Sequence, residues 1–105
     1  MATCFQLIPI GSTEAATLNS IDEAICEHFN VPGDPHMSYN NWFGAIGLKL
    51  AMGETFDEII AYYEREDVKC DDIQWCAEMA EIAKFLQSRY SPRLLDITVA
   101  KLARV

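Results

Sequence analysis

The stretch HMSYNNWFGAIGLKLAMG, residues 36–53, carries one formal charge, at Lys49, when its histidine is neutral. An asparagine near its start, Asn40 or Asn41, can cap a helix, and Gly53 stands where the glycine that follows a helix belongs. These signals predict a helix of about eleven residues. Because that helix is apolar nearly all round, we expect it to be buried in the core rather than to lie on the surface.

Small residues form one side of this central helix. At about 100° per residue, Gly44, Gly47 and Ala51 fall on a narrow stripe, opposite Trp42 and Ile46. The absence of side chains on the stripe would let another backbone approach closely. A glycine motif that binds a cofactor phosphate would follow a strand and open a helix, whereas these glycines lie inside one. The stretch therefore predicts a tightly packed helix and no cofactor site.

Two elements precede the central helix. TCFQLIPI, residues 3–10, predicts a short strand because aromatic and β-branched residues dominate it. Ser20-Ile21-Asp22-Glu23 has the form of a capping box, in which the serine hydroxyl accepts from the Glu23 amide while the glutamate reaches back. The box predicts a helix that runs to about Phe29 and ends before the proline of Asn30-Val31-Pro32.

A third helix and an acidic turn come next. Thr55-Phe56-Asp57-Glu58 is a second capping box, and it predicts a helix that runs to about residue 66. EREDVKCDD, residues 64–72, is expected to be a solvated acidic turn, because charged side chains dominate it.

The longest helix is predicted over IQWCAEMAEIAKFLQSRY, residues 73–90, with Asp71 or Asp72 as its cap. Its apolar face covers roughly 180°, which predicts contact with two other elements. The residues expected to face inward are Ile73, Trp75, Cys76, Met79, Ala80, Ile82, Ala83 and Leu86.

The chain is predicted to end in a strand. Ser91-Pro92 breaks the longest helix, and side chains alternate in character from residue 94 to about residue 103. Chain termini commonly lie close together, so the N-terminal strand is the expected antiparallel partner. A helix that starts at Ser91-Pro92 is the alternative. The predicted architecture is one α+β domain, residues 1–105, with four helices packed with a two-stranded antiparallel sheet of the terminal strands.

Charge is segregated along the sequence. Residues 14–81 hold fifteen acids and three bases, whereas residues 84–105 hold five bases and one acid, and the formal net charge is −8. Ten of the carboxylates lie between Glu54 and Glu81. Such a surface repels nucleic acid and anionic lipid and favours a basic partner. Acidity that only keeps a small protein in solution is the alternative interpretation.

The N-terminus and the cysteines point to a cytoplasmic protein. MATCFQLIPIGS lacks the basic segment that opens a signal peptide, and no apolar run approaches the roughly 20 residues that span a bilayer. Without a secretory context, Cys4, Cys26, Cys70 and Cys76 are expected to be free thiols.

Neither a metal site nor catalytic chemistry is predicted. Cys26 and His28 are two residues apart on a predicted helix, so their side chains point about 200° apart and do not chelate one ion. Asp34 and His36 could share an ion, but zinc would need two further ligands. Acyl transfer needs a nucleophile, a base and an orienting group, and no recognisable nucleophile elbow or oxyanion loop accompanies the two histidines. We therefore expect no enzyme, metal or cofactor.

The predicted partner-binding surface consists of carboxylates and one aromatic residue. Phe85 falls on the polar side of the longest helix with Glu78 and Glu81, where an exposed ring would suit a basic, amphipathic partner. Cover by the terminal strands is the equal alternative for this ring. The predicted surface comprises Asp57, Glu58, Glu64, Glu66, Asp67, Asp71, Asp72, Glu78, Glu81 and Phe85.

Part of the chain resembles a group of phage proteins. SIDEAICEHFNVPGDP, followed after a short gap by WFGAIGLKLAMGETFDEII, is similar to small uncharacterised acidic proteins of tailed-phage and prophage genomes, over about residues 20–66. The resemblance implies a host-directed accessory protein in the cytoplasm of a bacterial host, and inhibitors of host defence are one such class. It implies no activity, cofactor or catalytic residue.

Two hypotheses from different classes follow. The first is a non-enzymatic protein that binds a basic host protein, for example one that binds nucleic acid, through an acidic helical face, without binding nucleic acid or membrane itself. The second is a homodimer or larger assembly joined by an exposed terminal strand or an apolar helix. A small enzyme or metal-binding protein ranks third. Salt weakens a charge-driven complex and leaves an apolar one intact.

Overall fold

The computed structural model describes residues 3–29, 42–70 and 72–96 of the chain. Its elements are β1 (Thr3–Pro9), α1 (Leu18–His28), a π-helix (Phe43–Gly47), α2 (Leu48–Ala51), α3 (Phe56–Glu64), α4 (Glu66–Lys69), α5 (Ile73–Arg89) and β2 (Tyr90–Asp96). The predicted α+β class is confirmed, because helices pack with an antiparallel sheet of the N- and C-terminal strands. The predicted acidic turn contains the short helix α4.

The sheet pairs the two terminal strands in antiparallel register, from Thr3 opposite Asp96 to Pro9 opposite Tyr90. β2 begins at Tyr90, four residues before the predicted strand, so a helix from Ser91-Pro92 is wrong over the described part of this segment. A strand tolerates proline when its missing N–H lies on an unpaired edge, and each strand of a two-stranded sheet has such an edge. The remainder of the predicted strand, residues 97–103, lies outside the described residues.

The two predicted capping boxes have different outcomes. At α3, Thr55 Oγ1 accepts from the Glu58 amide at 3.1 Å and Glu58 Oε1 accepts from the Thr55 amide at 3.1 Å, which confirms the box. At α1 the box is wrong, because Thr17 caps the helix by accepting from the Ser20 amide at 3.2 Å. Ser20 lies inside the helix, where its hydroxyl donates to the Thr17 carbonyl at 2.8 Å.

The central helical segment, from Trp42 to Ala51, is buried on one side only. Trp42, Ile46 and Leu50 are at most 1 % exposed, whereas Leu48 is 60 % exposed. The prediction that this helix is buried all round is therefore wrong. β1, β2 and α5 contact the segment, and its outer side remains open to solvent.

The predicted glycine stripe does not receive another backbone. A Cβ at Gly47 would lie 3.0 Å from the side chain of Phe5, whereas a Cβ at Gly44 would have open space around it. A π-helix has more residues per turn than an α-helix, so the positions of an α-helical stripe diverge along it. The two glycines consequently face different surroundings.

The longest helix, α5, forms much of the core and contacts α3, α4, β2 and the π-helix, which confirms a face wide enough for two elements. Asp72 caps it by accepting from the Trp75 amide at 2.9 Å. Its predicted inner face is wrong at one position, because Ile73 in the first turn is 70 % exposed. The buried residues of α5 are Cys76, Met79, Ala80, Ile82, Ala83, Phe85 and Leu86.

Candidate protein-interaction surface

The two carboxylates of the first turn of α3 already have intramolecular partners. Glu58 completes the capping box with Thr55. Asp57 accepts a hydrogen bond from Gln87 Nε2 at 2.8 Å, which ties the start of α3 to the end of α5. Both side chains are exposed. They add negative charge to the surface while they fix the local structure.

Three carboxylates lie where α3 meets α4, and we call Glu64, Glu66 and Asp67 the acidic corner. All three are exposed. Hydrogen bonds from Arg65, one of them 3.0 Å long, hold the pKa of Asp67 below its usual range. Lys84 of α5 lies 3.6 Å from Glu64, so two of the three carboxylates of the corner, Glu64 and Asp67, have a basic partner.

The predicted acids of α5 are divided between structural and surface positions. Asp72 caps the helix, and Glu81 lies 3.5 Å from Lys84, which brings Glu81 into the same ion-pair cluster as Glu64. Glu78 Oε1 accepts from Gln74 at 3.2 Å, while its Oε2 is buried without a hydrogen-bond partner among the described residues. Asp71 lies outside the described residues. The structure thus groups part of the predicted acidic surface around α4 and Lys84.

Phe85 does not belong to the surface, and its prediction as an exposed contact is wrong. The ring is 5 % exposed and stacks on His28 with ring centroids 4.3 Å apart. Phe29 packs edge-on against it at 5.9 Å. The C-terminal end of α1 therefore supplies aromatic cover for the ring. The helical pattern placed Phe85 on the polar side of α5, but His28 and Phe29 pack on the ring there.

An apolar groove lies between the outer side of the central helical segment and the α4–α5 region. The groove has a volume of about 350 Å³. Two of its side chains project into solvent, Leu48 at 60 % and Met52 at 71 % exposure. We define the apolar groove by the residues Leu48, Met52, Tyr62, Val68 and Trp75.

Polar contacts fix one wall of the apolar groove. The Lys49 ammonium lies 3.6 Å from the centre of the Tyr62 ring, a cation–π contact, and 3.7 Å from Glu54 Oε2. The opposite wall reaches Asp72, which caps α5. The acidic residues Glu66 and Asp67 precede Val68 on α4, so the groove adjoins the acidic corner.

The groove was missed by the sequence prediction, which treated Leu48 and Met52 as part of a helix buried all round. Their spacing of four residues marks one side of a helix, and this side is the open one. The π-helix that forms its first turn is a further signal, because π-helical turns are frequent at functional sites. Such a turn is identified from the backbone and not from residue types.

A second cavity, of about 460 Å³, lies where α2, α3, α5 and β2 meet. Its polar groups are already engaged: Asp57 accepts from Gln87, Thr55 pairs with Glu58, and Glu54 lies beside Lys49. Few polar groups therefore remain in this cavity to recognise a ligand.

A metal cluster does not emerge in residues 3–29, 42–70 and 72–96. Within those ranges, no three His, Cys, Asp or Glu side chains group to hold a metal ion. His28 is exposed, and its ring stacks on that of Phe85. Cys26 and Cys70 are free thiols, as predicted, and the Cys76 thiol lies 3.7 Å from the Val68 carbonyl oxygen to which it donates. Asp34 and His36 lie outside the described residues.

The helices in the described part of the chain are too short or too polar to cross a bilayer. No protein-family model, curated protein or solved structure matches the chain.

Proposed function

We propose that this protein is a non-enzymatic binding protein that docks on a basic protein through its acidic helical surface. The observation that carries the proposal is the acidic corner, where Glu64, Glu66 and Asp67 are all exposed within four consecutive residues at the junction of α3 and α4. Between Glu54 and Glu81 the sequence sets ten carboxylates against two bases. A field of this sign speeds association with basic surfaces and disfavours acidic ones.

The basic partner is proposed to be a host protein that handles nucleic acid. Carboxylates on a rigid surface can occupy Lys and Arg groups that otherwise bind phosphates. The resemblance to phage and prophage proteins supports a host-directed role, in which such binding inhibits a defence protein in the bacterial cytoplasm. The net charge of −8 argues against direct binding of nucleic acid or of an anionic membrane.

A homodimer is the second candidate function. Exposed Leu48 and Met52 favour it, because apolar side chains at this exposure often mark an interface. Salt separates the two candidates, since an apolar dimer keeps its mass as ionic strength rises.

The test is capture from bacterial lysate with the tagged protein at low and at high salt, followed by mass spectrometry. A stoichiometric basic partner that is lost at high salt is expected, and its purified form should bind with the same salt dependence. Charge reversal of Glu64, Glu66 and Asp67 to lysine should abolish capture, because it inverts the acidic corner.

The matched control reverses Glu14, Glu23 and Glu27 to lysine, which changes the net charge equally. These three exposed acids lie before α1 or on it. Glu27 lines a cavity together with Arg89. Arg89 is the last residue of α5, whereas α4 lies near the first residues of that helix. This variant should retain the partner. A clean preparation that forms a salt-insensitive dimer would overturn the proposal in favour of the homodimer.

A further inference from the structure

We propose, resting on the function proposed above, that the apolar groove receives the apolar side of an amphipathic basic helix of the partner protein. The acidic corner would then pair with the basic flank of the same helix. The apolar groove thus indicates which class of partner segment is recognised, an amphipathic helix, whereas charge alone does not indicate it.

The lining of the groove suits an inserted aliphatic or aromatic side chain. Trp75 and Tyr62 offer aromatic walls, and Met52 offers a flexible, polarisable side chain that adapts to different shapes. The opening of about 350 Å³ lies within the range of ligand pockets. Leu48 and Met52, at 60 % and 71 % exposure, have most of their surface available for burial by a partner.

The walls of the groove select a helix over an extended peptide. The π-helix, α2, α3, α4 and α5 form them, and helices engage their backbone N–H and C=O groups internally. An added strand needs an open sheet edge, whereas a helix needs only a groove for residues at i, i+3, i+4 and i+7.

Charge complementarity selects a basic helix over a second copy of this chain. Glu66 and Asp67 precede Val68 on α4, and Asp72 lines the groove. The Lys49 ammonium in the wall is offset by Glu54, so Glu66 and Asp72 carry the negative charge that Arg65 and Lys49 do not pair. A second copy in a symmetric dimer through this groove would bring its own Glu66 and Asp72 against these carboxylates. Like charges across an interface cost affinity, whereas the Lys and Arg flank of a basic helix gains it.

Trp75 supplies the readout for a direct test. The chain has two tryptophans, and Trp42 is 0 % exposed with its indole N–H bound to Asp22 at 2.6 Å. The probe is a synthetic Leu/Lys peptide of about 14 residues, or about four helical turns, with leucines on one side. The control peptide has the same composition in an order that gives no apolar side.

Binding of the amphipathic peptide should shift the emission of Trp75 to shorter wavelength and protect it from acrylamide. Leu48→Gln and Met52→Gln should each weaken binding at least tenfold, because they place a polar group in the groove. Ile10→Gln is the matched control, since Ile10 is 64 % exposed in the turn that follows β1, does not line the groove, and should bind as the wild type does.

The outcomes separate the groove from the acidic corner. If Glu66→Lys with Asp67→Lys weakens binding while the groove variants bind normally, the groove inference falls and the proposed function stands. If the groove variants weaken binding but charge reversal and salt have no effect, the groove is an apolar site, and both the basic class and the proposed function fail.

Three further results would overturn the inference outright. The first is the absence of binding by the amphipathic peptide. The second is equal binding of both peptides. The third is a dimer mass, measured by sedimentation without peptide, that Leu48→Gln abolishes, because the occupant would then be a second copy.

Discussion

The ring of Phe5 in β1 lies against Gly47 of the π-helix so closely that a Cβ at Gly47 would be 3.0 Å from Phe5 Cε1. The same Cβ would lie 3.2 Å from Phe43 Cδ2. Contacts of 3.0–3.4 Å are tighter than nine in ten real Cβ contacts, so the two rings would have to move by a few tenths of an ångström. Here the sheet and the central helical segment meet across a residue without a side chain.

Gly47 and Gly44 should therefore respond differently to alanine. Gly44→Ala adds a methyl group in open space and gains helix propensity, so it should stabilise the protein by about 0.5–1 kcal/mol. Gly47→Ala displaces two aromatic rings and should be less stable than Gly44→Ala by about 1–3 kcal/mol. Urea denaturation of the two variants measures the difference, and equal stabilities would contradict the close approach.

The hydrogen bond from Trp42 to Asp22 should stabilise the fold measurably. Trp42 Nε1 donates to Asp22 Oδ1 at 2.6 Å, and the indole is 0 % exposed. Asp22→Ala leaves a buried donor unsatisfied and should cost about 1.5–3 kcal/mol. Asp22→Asn keeps an acceptor and should cost less. Glu23→Ala, at the exposed neighbouring position, should change the free energy of unfolding by no more than about 0.5 kcal/mol.

Phe85 should behave as a core residue. At 5 % exposure, with its ring stacked on His28, Phe85→Ala should cost about 3–5 kcal/mol of stability. Ile73→Ala, on the same helix but 70 % exposed, should cost no more than about 0.5 kcal/mol. Chemical denaturation measures the free energy of unfolding of both variants. A larger loss of stability for Ile73→Ala than for Phe85→Ala would contradict the burial of Phe85 and favour the inner face predicted from the sequence.

Tyr63 should make the protein less stable at alkaline pH. Burial, aided by Tyr62, Cys76 and Glu54, raises the pKa of its phenol from 10.0 to about 12. Between these values the unfolded chain has lost the proton while the folded chain retains it, so stability falls as pH rises from 10 to 12. The loss reaches at most about 3 kcal/mol.

Tyr63→Phe isolates this contribution, because it has no phenol to titrate. Denaturation midpoints of both proteins, measured at intervals from pH 8 to pH 12, should show the wild type losing stability relative to Tyr63→Phe as pH rises from 10 to 12. Parallel curves would show that Tyr63 titrates alike in the folded and unfolded chains.

Local sequence signals determined much of the secondary structure. The α3 cap was predictable because Thr55 and Glu58 exchange hydrogen bonds within four residues, whatever the rest of the chain does. For the same reason, the sequence limited the candidates for the cap of α5 to Asp71 and Asp72. The pairing of the terminal strands followed from their composition and from the usual closeness of chain ends.

The same kind of signal failed where neighbouring groups compete. Thr17 and Ser20 both offer a hydroxyl three residues before a backbone amide, and the helix begins at the earlier one. Pro92 was predicted to lie before the strand, yet it lies within β2, where the exposed edge of a two-stranded sheet accepts it.

The predicted carboxylates were identifiable by residue type, but the sequence did not show which of them already have an intramolecular partner. Asp57 and Glu64 are both exposed acids of α3, yet one is bound by Gln87 and the other lies beside Lys84 of α5. Those partners are 20 or more positions away along the chain, so no local pattern indicates them.

Sequence by itself determined which segments form helices and strands, because hydrogen-bonding caps and side-chain alternation act within a few residues. Only the tertiary structure decided which apolar side chains are covered. Phe85 is buried because the end of α1 packs on it, and Leu48 and Met52 remain exposed because the described elements cover only the other side of their helix. Burial depends on contacts between distant segments. The apolar groove exists because the described segments leave Leu48 and Met52 uncovered.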